Sequence, residues 1–150
     1  MNTLSRSQLV GAKILDGDTV RFSGIQEDHI YGMEIRMDVN GVSGEILSIE
    51  GWMKRYTTPI CPTAVDQLQK AVGMTVRGEN WENAVMKVVG RQGCQHFAEI
   101  IIECGRCLDH ARMAKEMEEA VKADPAANQT VFAREWVDRH DEVRGVCVAR

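Results

Sequence analysis

Aromatic residues make up only 5% of this chain, and acidic residues outnumber basic ones, 22 Asp and Glu against 18 Lys and Arg. Nucleic-acid binding needs concentrated Lys and Arg for phosphates and aromatic platforms for bases, so a nucleic-acid partner is not expected. Long apolar runs are missing as well. No segment approaches the ~20 apolar residues of a membrane span, and the opening MNTLSRSQLVGAKILDGD holds no apolar run of signal-peptide length. The expectation is a cytoplasmic protein with no membrane partner. The GxGxxG, GxSxG and GKS/T patterns are also absent, which removes support for nucleotide-binding and serine-hydrolase readings.

Cysteine is not scarce. Cys61, Cys94, Cys104, Cys107 and Cys147 make five, an odd count that suits free thiols in a reducing compartment better than disulfides. The 150 residues together read as an ordinary globular chain, 44% apolar and 27% charged, long enough for one sizeable core.

The first third alternates with the period of two expected of strands. In DTVRFSGI, Val20 and Phe22 share a face; in IYGMEIRMDV, Tyr31, Met33, Ile35, Met37 and Val39 do. Asn40 and Gly41 form a hairpin signal, and GEILSIEGWM returns as the antiparallel partner. LVGAKIL supplies a further strand, for three or four in all.

Helical spacing takes over after Thr57. CPTAVDQLQKAV places Val65, Leu68 and Val72 on a stripe behind Pro62, ENWENAVMKVVG does the same with Trp81, Val85 and Val88, and a long helix runs from about Cys94 to Ala123. Its stripe is Phe97, Ile100, Ile101, Cys104, Leu108 and Ala111, with Gly105 as a weak point. Asp124 and Pro125 break the chain before a fourth helix, TVFAREWVDRH. Strands first and helices after predict an α+β fold, an antiparallel sheet covered on one face by helices. The expected organisation is one domain over 1–123 and a C-terminal helical extension over 124–150.

Chemistry concentrates where helices begin. Cys61, just before Pro62, is expected at a helix N-cap, and Cys94, just after Gly93, at another; the helix dipole favours a thiolate at both. His96 falls in the first turn after Cys94. Two thiolate-prone cysteines and an imidazole make a partial metal shell, set against the bland alternative of small core residues. Cys104, Cys107 and His110 form a second cluster, with Cys104 on the core stripe. Cys147 is expected to be inert near a frayed end.

TTPICPTAVDQLQKAVGMTVRGENW together with GRQGCQHFAEI resembles the bacterial unknown-function domain family numbered 2889. Cys61, Pro62, Gly73, Trp81, Gly93, Cys94 and His96 match its pattern, and the resemblance spans about residues 9 to 115. A fainter similarity is to the iron–sulfur cluster assembly scaffolds of IscU/NifU type, where a cysteine opens a helix reading Cys-x-x-x-Ala-Glu, matched here by Cys94, Ala98 and Glu99. That likeness implies a scaffold-like α+β fold. This chain departs from the scaffolds in lacking a cysteine in HIYG, and from the 2889 pattern in having Tyr31 and Gly32 in place of His-Asp.

The leading expectation is therefore a metal-binding protein, zinc or an iron–sulfur cluster, held by Cys61, Cys94 and His96. His29, Tyr31, Cys104 and Cys107 stand as additional candidates. It would hold or transfer a metal centre or assist a partner enzyme. The first alternative is a small enzyme with a cysteine nucleophile and His96 as base, or with a metal-activated water. The second is an interaction domain whose last helix, through Val131, Phe132 and Trp136, docks a partner or a second copy as a homo-oligomer.

Overall fold

A computed structural model describes residues 3–143; Cys147 lies outside the described residues. Contacts divide the chain into two compact units, Met1–Leu108 and Asp109–Arg150. The first unit opens with a four-stranded antiparallel meander, β1 (Arg6–Ile14), β2 (Thr19–Asp28), β3 (Gly32–Asn40) and β4 (Ile46–Arg55), in sheet order β1-β2-β3-β4. A 3-10 helix over Cys61–Ala71 follows. Next come α1 (Trp81–Val85), a π-helical segment Met86–Gly90, and α2 (Gln95–Arg106). The fold is α+β.

The period-two pattern sorts the sheet's faces as expected. Val20 and Phe22 of β2, and Met33, Ile35, Met37 and Val39 of β3, are all buried under the helices. α2 crosses β2 and β3 with Phe97, Ile100, Ile101 and Cys104 inward, while the 3-10 helix lies on β4. The opposite face carries cross-strand ion pairs, Arg21–Asp38 at 2.7 Å and Lys54–Glu34 at 2.5 Å. Arg36 also sits 5.4 Å over the Trp52 ring there.

Close approach of α2 to the sheet depends on a missing side chain. A Cβ on Gly24 would stand 2.4 Å from Ile100 Cγ2 and 2.9 Å from Cys104 Sγ, whereas one on Gly11 meets only a carbonyl at 4.0 Å. Gly24→Ala is therefore expected to cost about 1–3 kcal/mol through overpacking. Gly11→Ala should be neutral or slightly stabilising. Urea unfolding of the pair checks both; equal midpoints would show that α2 has room to move.

Three helical expectations need correction. The segment after Cys61 winds with three residues per turn, so Val65, Leu68 and Ala71 form the inner row; Val72, one α-helical step on from that pattern, is 41% exposed. In the next element the π-helical widening turns Val85 and Val89 inward and leaves Val88 only half-buried. Finally, the long helix is two helices. Its break lies at Cys107, the C-cap of α2, and not at Gly105. Gly105 serves packing instead, because a Cβ there would reach within 2.5 Å of the Trp81 ring. The Asn40–Gly41 hairpin is present with a longer turn: Asn40 Oδ1 accepts from the Val42 and Ser43 amides, and Gly44 takes the positive φ of 76°.

In the second unit α3 (Leu108–Ala123) leads to α4 (Gln129–Arg139). Asn128 caps α4, its Oδ1 accepting from the Thr130 and Val131 amides. Trp136 is buried and stacks on His140 at 3.8 Å, while Val131 is half exposed. No helix among the described residues is long and apolar enough to cross a membrane.

Candidate functional site: a two-thiol cavity

Three residues per turn put Cys61, Ala64 and Gln67 in one row, a third of a turn from the row that enters the core. All three line a cavity of about 380 Å³. Cys61 is the first residue of its helix, one place later than the sequence suggests, with Ile60 as the cap. Its thiol is pulled down to about 7 from the ordinary 9.0. The cause is first the hydroxyl of Thr58, then that of Thr57, with the Thr58 backbone adding a further hydrogen bond. Their Oγ1 atoms stand 3.2 and 3.6 Å from Cys61 Sγ, placed to donate to the thiolate.

Cys94 lines the same cavity from a different element, the start of α2. The π-helical turn, closed by the Arg91 amide on the Met86 carbonyl at 2.9 Å, hands over to a turn in which the Cys94 amide bonds Val89 O at 3.0 Å. Gly93 then passes against the 3-10 helix: a Cβ there would lie 2.8 Å from Gln67 Cβ. That contact is what brings the start of α2 beside the helix that begins with Cys61. Cys94 is the extended N-cap of α2, φ −137°, as the sequence implies. His96, in the first turn, holds Nδ1 3.8 Å from Cys94 Sγ. Partial burial lowers the imidazole pKa, and the nearby Arg6 adds to that effect, which keeps the ring neutral at pH 7.

Tyr31 joins the two halves. Its ring lies 4.3 Å from that of His96, and its hydroxyl is 3.4 Å from Thr57 Oγ1. Expected in the core, it is half exposed instead, because β3 begins only at Gly32. Asp28 sets its position: the covered carboxylate accepts from the Ile30 and Tyr31 amides at 2.7 and 2.6 Å and from Arg6 Nε at 2.8 Å. Arg55 clasps the same turn through the Asp28 and Tyr31 carbonyls.

The amide of Tyr31, the Arg6 guanidinium and the Ile30 amide hold the Asp28 carboxyl at about 2, below its ordinary 3.8. A depressed acid adds stability above its unfolded pKa, and that contribution disappears as pH falls from about 4 through about 2. Wild type should therefore be more stable than Asp28→Asn at neutral pH, with the gap narrowing over that interval. Thermal melts of both proteins between pH 2 and 7 measure it. A gap that stays constant would remove Asp28 as the anchor of Tyr31.

The remaining candidates lie elsewhere. His29 is exposed in the β2–β3 turn and does not line the cavity. Cys104 is buried against β2, and burial pushes its thiol up to about 12. Cys107 is raised for the same reason. Among the described residues no three His, Cys, Asp or Glu side chains gather as a metal-holding group. Cys61 turns instead onto its two threonines. A larger cavity of about 550 Å³ is lined by Arg6, Glu82, Glu99, Glu103 and Arg106, but its arginines are engaged by Asp28 and Glu82. The thiols are in the smaller one.

Thr57 and Thr58 escaped the sequence reading. No periodic signal marks them, because they lie in the exposed segment that leads into the helix.

A model of the family described as Protein of unknown function (DUF2889) matches residues 7–108. No curated protein and no solved structure matches the chain.

Proposed function

The chain belongs to that family, and from its cavity we propose a small thiol enzyme, in which the Cys61 thiolate attacks an uncharged electrophile. One observation carries the reading: Cys61 and the neighbouring pair Cys94 and His96, distant from it in sequence, line one cavity. Cys61 needs no base, since two hydroxyls already favour its ionised form. His96 serves Cys94, the thiol it neighbours. The rest of the lining, including Met53, Ile60 and Ala64, carries no formal charge, which suits a neutral substrate. Free thiols of this kind work in a reducing compartment, and the cytoplasm is the location that goes with this reading.

Alkylation by iodoacetamide across pH tests it. Cys61 should react first, with a midpoint near pH 7 and no response to a chelator. Reaction only above pH 9, or equal reactivity in Cys61→Ser, would sink the proposal.

The 3.8 Å spacing of Cys94 Sγ and His96 Nδ1 favours a second reading, a site for zinc or an iron–sulfur cluster, in a protein that holds or transfers a metal centre or assists a partner enzyme. It requires Cys61 to rotate away from its threonines. It predicts stoichiometric metal on purification and two cysteines protected together until chelation.

A further inference from the structure

We infer that the electrophile is a hydroperoxide, reduced at Cys61, with Cys94 as the thiol that resolves the oxidised product; this rests on the thiol reading above. The partners of Cys61 decide the first point. An acyl or carbonyl substrate calls for a base beside the attacking thiol and donors aimed at an oxyanion. Here the base stands beside Cys94, and the side chains that meet Cys61 are hydroxyls, Thr58 at 3.2 Å and Thr57 at 3.6 Å, with the Tyr31 hydroxyl 3.4 Å beyond Thr57; the Thr58 and Thr57 backbone adds hydrogen bonds to the sulfur itself. A row of hydroxyls can donate to a thiolate and to the oxygen leaving it, and can pass a proton along. Cleavage of an O–O bond needs those services and little else.

The balance is as follows. The Cys61 thiolate attacks the outer oxygen of ROOH; an S–O bond forms, the O–O bond breaks, and two electrons pass from sulfur to the peroxide. Alkoxide leaves and takes a proton from water through the Thr57–Tyr31 hydroxyls, giving ROH and Cys61 sulfenic acid.

Cys94 then attacks the Cys61 sulfur. Its proton goes to neutral His96, 3.8 Å away, and from there to the departing hydroxide, so that a disulfide and water result. An external dithiol reduces the disulfide and is itself oxidised. Cys94 is the only other described cysteine on this cavity, since Cys104 is closed in the core. A disulfide needs Cα atoms within about 7 Å, so resolution requires the turn at Cys61 and the start of α2 to come within that reach.

The reduced full-length protein is mixed with hydrogen peroxide and, separately, tert-butyl hydroperoxide, and iodoacetamide alkylation is run in parallel. Wild type should consume peroxide at least about a hundredfold faster than free cysteine and form a Cys61–Cys94 disulfide that dithiothreitol reverses. Cys94→Ser should stop at a sulfenic acid on Cys61, trapped by dimedone. Thr58→Val should slow the peroxide reaction more than the alkylation. Fast alkylation with peroxide consumption no better than free cysteine overturns the hydroperoxide assignment and leaves the thiol reading standing. Slow reaction with both reagents overturns the two together. Fast peroxide reduction with a disulfide to another cysteine, or with none, overturns the role of Cys94.

Discussion

The double variant Thr57→Val/Thr58→Val is expected to move the midpoint of Cys61 alkylation from about pH 7 towards 9.0, with opposite effects on rate at the two ends of the titration. At pH 7 the wild-type thiol is about half ionised; without its donors only about one part in a hundred is, a loss of about 50-fold in thiolate. A more basic thiolate is also a better nucleophile. With a Brønsted slope of about 0.45, two units return a factor of about 8, so the net loss at pH 7 is about sixfold. Above pH 9.5, where both proteins are ionised, the variant should be the faster one. This crossing separates loss of hydrogen bonds from a general disturbance of the cavity, which would slow the reaction at every pH. Alkylation rates from pH 5 to 10, with Cys61 identified by peptide mapping, decide it. If the midpoint stays near 7, the helix start itself is the cause, and the assignment of the threonines fails.

The donors around Cys61 show what was readable in the chain. A cysteine before a proline after a break in pattern marks a helix start, and that much could be seen for Cys61. Which donors face the sulfur depends on how the exposed segment 56–60 folds back, a tertiary outcome with no period. The same holds for Tyr31. Its place in the alternation of Met33, Ile35 and Met37 assigns it to the core, but the strand is reached only after an Asp28-bound turn, and the ring is left at the cavity.

The sheet was legible almost throughout because one of its faces is wet and the other dry, which imposes a strict period of two on β2 and β3. Helices were legible as helices but not in their winding. Val65, Leu68 and Val72 fit an α period as well as Val65, Leu68 and Ala71 fit a 3-10 one, and only packing on β4 chooses between them. The choice matters for the site. Under α winding each third residue falls about 60° short of a full turn, so Cys61 and Gln67 would stand about 120° apart rather than in one row; three-residue winding lines them up along the cavity.

Phe97→Ala is expected to cost about 3–5 kcal/mol, a third or more of the stability of an ordinary domain. Phe97 is fully buried in the first turn of α2, three residues after Cys94. Its ring edge lies 3.4 Å from the space above Gly51 of β4, and Leu68 of the 3-10 helix fills the same space from the other side. The ring therefore ties together the three elements that make the cavity. Truncation leaves a void between them that Gly51, having no side chain, does nothing to fill. A melting temperature lower by roughly 6–20 °C should follow. The functional signature is asymmetric. Cys94 and His96 ride on the turn that Phe97 anchors, so Cys94 should alkylate faster and, in the peroxide reaction, resolve Cys61 more slowly. The Cys61 midpoint should remain near pH 7, because Thr57 and Thr58 precede their own helix and are not seated by this ring. Calorimetry together with site-resolved alkylation measures both. A melting shift below about 5 °C would show that the start of α2 is held by something other than Phe97. A displaced Cys61 midpoint would show that the two walls of the cavity are mechanically one.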